Sequence, residues 1–340
     1  MVLAKAGGQL HVKQDTSYAR LRQYLHVSSN CHSIFIVLKK TFMRILLCFI
    51  VGFFSQPVYS QNKVERKIID VHLHARPFDY YGNPPAPNFI TGVQAKWKND
   101  AEVVQMTLDT LKKYGIVKAI ISGTVSRVAD FKNADPERFI PSLDYPAIKE
   151  ALPDTATFIK LFNEGKFLVF GELGLQYRGK TLADPELEPY LTICERLKIP
   201  VGLHTGLGMR SNPAFRTTLG NPQLIEEVLV KHPGLKIYLM HMGAPYEAET
   251  IAIMAVYPQV YADISAINWL LPTAWFYSYL KTMMDAGFGK RIMYGSDQMG
   301  WPDAIPLSIK TIENAPFLTE SQKQDIFYNN AKVFFNLSKD

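Results

Sequence analysis

From Lys67 onward the apolar residues follow two alternating rhythms. Short runs rich in β-branched and aromatic residues predict strands over 67–75, 117–124, 139–145, 167–175, 199–206, 236–243, 260–267 and 291–298. Stretches with helical spacing separate them and predict helices over 100–115, 156–165, 186–198, 222–234, 246–258, 273–289 and 303–315, with a last helix over 319–337. The connection at 126–138 has the weakest helical pattern. Strand–helix units repeated eight times over about 270 residues fit an α/β fold of the (β/α)8 TIM-barrel type. An open doubly wound sheet is the alternative, but no glycine-rich phosphate loop follows an early strand. There are no internal repeats and no break in composition after 67, so residues 61–340 read as one domain.

The first 60 residues have a different character. Lys39, Lys40 and Arg44 precede the uninterrupted apolar run Ile45–Phe54, and Val58 and Ser60 stand at the −3 and −1 positions of a cleavage before Gln61. The run suits a signal peptide and is too short to span a bilayer. Met43 to Ser60 is a compact signal by itself, so the expectation is a start at Met43, with residues 1–42 a misassigned extension. Export to the periplasm or beyond follows, with no stable membrane association after cleavage.

Charge and cysteines change the picture little. The formal charge is +6, but seven of the 37 Lys and Arg residues and only one of the 31 Asp and Glu residues lie in residues 1–60. The body is therefore neutral and gives no electrostatic footprint for nucleic acid. Of the three cysteines only Cys194 lies in the body, so it has no intramolecular disulfide. The expected partner is a small-molecule substrate, and a homo-oligomer is compatible with the sequence.

The candidate chemistry sits at strand ends. The first strand carries Asp70, His72 and His74 at alternate positions, so all three share a face, with the two imidazoles about 7 Å apart along the strand. Taken alone, such a pair is either half of a metal site or two unremarkable polar residues. His204 ends the fifth strand and His241 the sixth; Glu172 ends the fourth and Asp297 the eighth. In a barrel, the C-terminal strand ends are where catalytic groups stand. Buried imidazoles and carboxylates need partners, and one shared ion supplies them. His232 falls at a helix end, where an imidazole is at home without a functional role.

This set, His-x-His on strand one, Glu on four, His on five and six, and Asp on eight, resembles the amidohydrolase superfamily. The stretch "GELGLQYRG", the strand "IPVGLHTG" and the closing "IFYNNAKVFFNL" are similar to its amidohydrolase-related branch, which includes aminocarboxymuconate-semialdehyde decarboxylase-like enzymes. The resemblance covers roughly 67–338 and is specific for the superfamily rather than for a substrate. It implies a divalent metal, Zn²⁺ first, as one or two ions. His72, His74 and Asp297 would hold the first ion. His204 would be a further ligand, to that ion or to a second. Glu172 is either a ligand or an orienting group. Asp297 would also act as general base, His241 would face the substrate carbonyl, and Asp70 would support a ligand histidine from behind.

The substrate pocket is legible in outline. The aromatic and proline-rich loop 76–92 is long enough for a lid. Arg76 or Arg210 would bind a substrate carboxylate, and Trp269 and Trp275 would stand near the mouth. The leading expectation is a metal-dependent hydrolase of an amide, ester or lactone. The alternatives are a nonhydrolytic decarboxylase, a TatD-like phosphodiesterase that the neutral body disfavours, and a catalytically silent binding barrel.

Overall fold

The expected strands pair in sequence order. The computed structural model describes residues 66–145, 151–208 and 213–337. In it β1 (Ile68–His74), β2 (Ile116–Gly123), β3 (Phe139–Tyr145), β4 (Val169–Leu173), β5 (Val201–His204), β6 (Ile237–Met240), β7 (Val260–Asp263) and β8 (Ile292–Met293) form one parallel sheet in the order β1 to β8. Helices α1 (Asp100–Lys113), α2 (Val125–Ala134), α3 (Thr155–Asn163), α4 (Glu188–Leu197), α5 (Glu226–Lys231) and α6 (Glu247–Val256) cross between successive strands. The short α7 (Ile267–Leu270) and the longer α8 (Thr273–Asp285) connect β7 to β8, and α9 (Ala304–Glu313) follows β8. The connection with the weakest helical pattern is the helix α2, begun by the Thr124 side chain accepting from Arg127 N. No helix among the described residues is long and apolar enough to cross a membrane. The predicted leader lies outside the described residues.

Two apolar layers hold the sheet. Ile69, Val71, Ile120, Ile140, Val169, Tyr238, Met240 and Met293 fill the lumen with Ala331 and Phe334 from the last helix. The opposite strand faces pack under the helices. Clean alternation along β1 fails at one place. Leu73 joins the helix layer while Ile69 and Val71 go to the lumen, because the β1–β2 register shifts between Asp70 and Leu73.

The seam between β8 and β1 explains why β8 is only two residues long instead of the expected eight. Beyond Met293 the chain turns to β1 for its partners. Val71 N donates to Tyr294 O (3.0 Å) and Asp297 N to His72 O (2.8 Å). Asp70 is part of this seam. Its Oδ1 accepts from the backbone N–H of His72 (3.1 Å) and of Ser296 (2.9 Å). Asp70 therefore supports His72, one of the expected ligand histidines, through its backbone. Burial pushes its pKa up to about 7 despite those donors.

The last predicted helix is interrupted. A capping box at Thr319 starts Glu320–Gln324, a wider turn follows over Asp325–Asn329, and Asn330–Phe334 completes it. Ile326 O, in the wide turn, accepts from Tyr294 N at 2.8 Å, so the break lies where the helix joins the barrel wall.

The loop after β5 depends on a glycine. Gly206 has φ +71°, and a Cβ there would lie 2.1 Å from Ala244 O. Gly206→Ala is expected to cost about 2–4 kcal/mol of stability, from a left-handed backbone and an unrelievable clash. Urea denaturation would show it; an unshifted midpoint would contradict this reading of the loop.

Candidate metal centre

Six predicted side chains meet at one end of the lumen. Glu172 is at their middle. Its Oε2 lies 3.6 Å from His72 Nε2 and 3.3 Å from His74 Nε2, and its Oε1 lies 3.7 Å from both His204 Nε2 and His241 Nε2. Asp297 Oδ1 lies 3.1 Å from His74 Nε2 and 4.0 Å from His72 Nε2. The four histidines and Asp297 are buried. His241 and Asp297 adopt left-handed backbone, with φ +62° and +45°. Such conformations cost of order 1–3 kcal/mol each and persist where surrounding structure imposes them.

The ring orientations are set from behind by two residues on the β7 end. His72 Nδ1 faces Asp263 Oδ2 (3.3 Å) and Ser265 Oγ (2.7 Å). A carboxylate accepts only, so Nδ1 carries the hydrogen and Nε2 is turned to the centre. His241 Nδ1 likewise donates to the Ser265 carbonyl at 3.0 Å. Asp263 Oδ1 also accepts from the backbone N–H of His241 (3.0 Å) and of Ser265 (2.9 Å). The Gln298 amide holds His74 by its backbone, accepting from His74 N (2.9 Å) and donating to His74 O (3.0 Å). Asp263, Ser265 and Gln298 were not singled out from the sequence. An acid two residues before a serine, at the end of an apolar strand, was the available signal.

The local field favours a cation. Burial pushes Glu172 up, but the facing imidazoles of His241 and His72 overcome this and hold the carboxyl well below the usual range. Burial alone would strip His72 of its proton, yet Asp297, Asp263 and Glu172 hold that proton far above the ordinary imidazole value. Burial and then Arg76 push His74 down, and burial with His241 takes His204 down to about 3. Among the described residues, His72 Nε2 and Asp297 Oδ1 are buried without a hydrogen-bond partner, although both face this centre. A proton strongly held between carboxylates, beside orphaned donor atoms, marks a place that a divalent ion fits. Two sets have mutually close ligand atoms: His72, His74 and Asp297, and His72, Glu172 and His241.

Above the centre opens a cavity of about 480 Å³. His74, Glu172, His204, His241 and Asp297 line its floor, and Arg76 is in its wall. The Arg76 guanidinium lies 3.7 Å from Asp144 Oδ2 and 4.6 Å from the Tyr80 ring centre. Tyr177 also lines the cavity, with Oη 3.3 Å from His204 Nε2. The loop after β1 covers one side, with Tyr81 stacked on Trp301 (4.3 Å) and Asn88 and Thr91 donating to Asp303. Trp269 is not in this cavity, contrary to expectation. It is buried with Nε1 donating to Ser296 O (2.7 Å), so its indole braces the β8 end, and its neighbours Ile267, Leu270 and Leu271 line the cavity instead. Trp275 is exposed on α8 and does not line it either. Arg210 lies outside the described residues. His232 is distant from the centre, paired with Glu195 and Glu188.

Known proteins share this barrel. An uncharacterized TIM-barrel protein from Bordetella bronchiseptica is 19% identical with a TM-score of 0.61, over 79% of this chain and 98% of that one. A structure from Acinetobacter baumannii, named for 2-pyrone-4,6-dicarboxylic acid hydrolysis and holding citric acid, is 14% identical with a TM-score of 0.56, over 80% and 100% of the two chains. A manganese-bound 5-carboxyvanillate decarboxylase from Novosphingobium aromaticivorans is 14% identical with a TM-score of 0.54, over 80% and 96%. In sequence, 155 residues are 22% identical to Protein fluG of Emericella nidulans, covering 41% of this chain but only 18% of that much longer protein. Residues 69–337, nearly the whole barrel with all six centre residues, match the family model described as Amidohydrolase, and the chain belongs to that family.

Proposed function

We propose that the protein is a metal-dependent hydrolase that opens an ester, lactone or amide bond of a small molecule, with Asp297 as general base. The observation that carries this is the Asp297 carboxylate, buried on the floor of a substrate-sized cavity with Oδ1 3.1 Å from His74 Nε2 and 4.0 Å from His72 Nε2. His72, His74 and Asp297 would hold a divalent ion, Zn²⁺ by the borderline character of the donors. Glu172 and His204 would be further donors to it. Both close ligand sets include His72, whose Nε2 faces Glu172 and Asp297, and one ring nitrogen would ligate one ion, which favours a single ion. When bound, that ion supplies Lewis-acid activation of water and of a carbonyl.

The chain's own groups do the rest. Asp297 takes a proton from the attacking water and passes it to the leaving group, within the cavity that positions the substrate. Glu172 keeps a proton on His241 by raising its pKa against burial. His241 Nε2 then donates a hydrogen bond to the developing oxyanion. His204 stays neutral and stands beside the Tyr177 hydroxyl. The same floor would serve a decarboxylase, since the Arg76 guanidinium in the wall suits a substrate carboxylate. Carbon dioxide in the headspace, without ring opening or hydrolysis, would favour that second reading.

Elemental analysis of the purified protein is expected to find about one divalent ion per chain. Chelation should abolish turnover and lower the melting temperature, with both restored on adding zinc. A metal-free protein with unaltered stability would identify a silent barrel. Two equivalents would make Glu172 a bridge between ions. We also propose that the protein is exported and begins near Gln61. N-terminal sequencing of the secreted or periplasmic form tests this, and recovery of an intact leader would overturn it.

A further inference from the structure

The helical turn Leu175–Arg178 follows β4 directly and brings a phenol to the cavity. Gln176 fixes this turn on the loop after β5, its Nε2 donating to Gly206 O (3.2 Å) and its backbone oxygen accepting from Arg216 N (3.4 Å). Tyr177 then lines the cavity, with its ring against Phe215 (5.2 Å) and edge-on to His204 (5.0 Å). A glycine makes room for its hydroxyl, since a Cβ on Gly208 would lie 2.6 Å from Tyr177 Oη. Oη lies 3.3 Å from His204 Nε2, and the His204 ring is itself 4.6 Å from the ring of His241. A histidine that serves as a ligand presents a lone pair, so at His204 Nε2 the phenol is the donor. With that lone pair committed to an ion, the phenol's hydrogen is left for an oxygen in the cavity.

We propose that Tyr177 is a catalytic residue that donates a hydrogen bond to the developing oxyanion, beside the one from His241. This rests on the hydrolase reading and adds a second donor to it. When water adds, its oxygen bonds to the acyl carbon, its proton goes to Asp297 and the carbonyl electron pair moves onto oxygen. Tyr177 keeps its own hydrogen throughout. Its hydrogen bond strengthens because the acceptor gains negative charge, so it favours the transition state over the planar substrate. When the electron pair returns, the bond to the leaving group breaks and Asp297 supplies that group's proton. A phenol already held by Phe215, His204 and the Gly208 gap needs no ordering at that moment, which is what makes such a donor effective.

Two compounds of the same size read this on the zinc-loaded protein. Phenyl methylphosphonate is a tetrahedral monoanion, and phenyl acetate is its planar ester counterpart. Tyr177→Phe is expected to weaken calorimetric binding of the phosphonate by about tenfold or more. It is also expected to lower kcat on phenyl acetate by about a hundredfold, with KM changed by less than about threefold. Its zinc affinity, titrated against a chelator, should stay within about threefold of the parent's. A tyrosine that acts only by holding His204 would move zinc affinity and phosphonate binding together, and that result would overturn the proposal. So would unchanged phosphonate affinity in the variant, or a parent that does not bind the phosphonate. Gly208→Ala keeps the phenol but crowds its oxygen, and the same loss of phosphonate affinity is expected. This variant decides the matter if Tyr177→Phe does not fold. Tyr177-dependent phosphonate binding without opening of phenyl acetate would sink the hydrolase reading and leave Tyr177 as the donor to a tetrahedral anion. Opening of phenyl acetate with unchanged kcat in Tyr177→Phe would do the reverse.

Discussion

Asp297→Asn is expected to lower turnover by about a thousandfold or more while the barrel stays folded. The carboxamide has the same shape, so the packing of the β8 end should survive. The backbone bonds that place residue 297 do not involve its side chain, since Asp297 N donates to His72 O. What is lost is the negative charge and the ability to take a proton. Buried charge that His72 and His74 hold well ionised, with a pKa near 2 against the pull of burial, is available as a base at neutral pH and as a metal ligand. An amide offers neither. The measurement is turnover on any ester or lactone that the parent protein opens, with metal content and melting temperature read on the same preparation. Wild-type turnover in a metal-loaded Asp297→Asn protein would dismiss the proposed base.

Asp263→Asn is expected to weaken metal affinity by about 10- to 100-fold, although this residue does not line the cavity. Asp263 is buried, with one oxygen facing His72 Nδ1 and the other accepting the backbone N–H groups of His241 and Ser265. It therefore fixes the His72 ring and the His241 backbone at once. An asparagine can keep one oxygen on the backbone donors, but its NH₂ then faces the ring N–H of His72, donor against donor. Either the imidazole turns or its tautomer changes, and Nε2 is no longer presented as a lone pair. The stability cost should be about 1–3 kcal/mol, that of a buried polar group left unmatched. Titration of zinc against a competing chelator reads the affinity, and urea denaturation reads the stability. If zinc bound this variant as tightly as the parent, Asp263 would not be what orients His72.

Strand periodicity and the alternation with helices determined the barrel from sequence, because both are local: a side chain's face follows from its position in its own strand. The same logic placed His72, His74, Glu172, His204, His241 and Asp297 at one end of the lumen, where the structure gathers them. What only the tertiary structure decided is which side chain from one strand meets which from another. Asp70 reads from the sequence as support for a ligand histidine and does hold His72 N, but its second donor, the backbone N–H of Ser296 at 2.9 Å, comes into reach only once the barrel closes. Trp269 looked like a pocket wall, but the turn at α7 buries its indole under the β8 end and exposes Leu270 and Leu271 to the cavity. Asp263 behind His72 and Asp144 beside Arg76 are pairs 191 and 68 residues apart in the chain. Periodicity reports the direction of each side chain, but a contact between strands depends on register and on how the sheet curls, and those are set by the packing of the whole barrel.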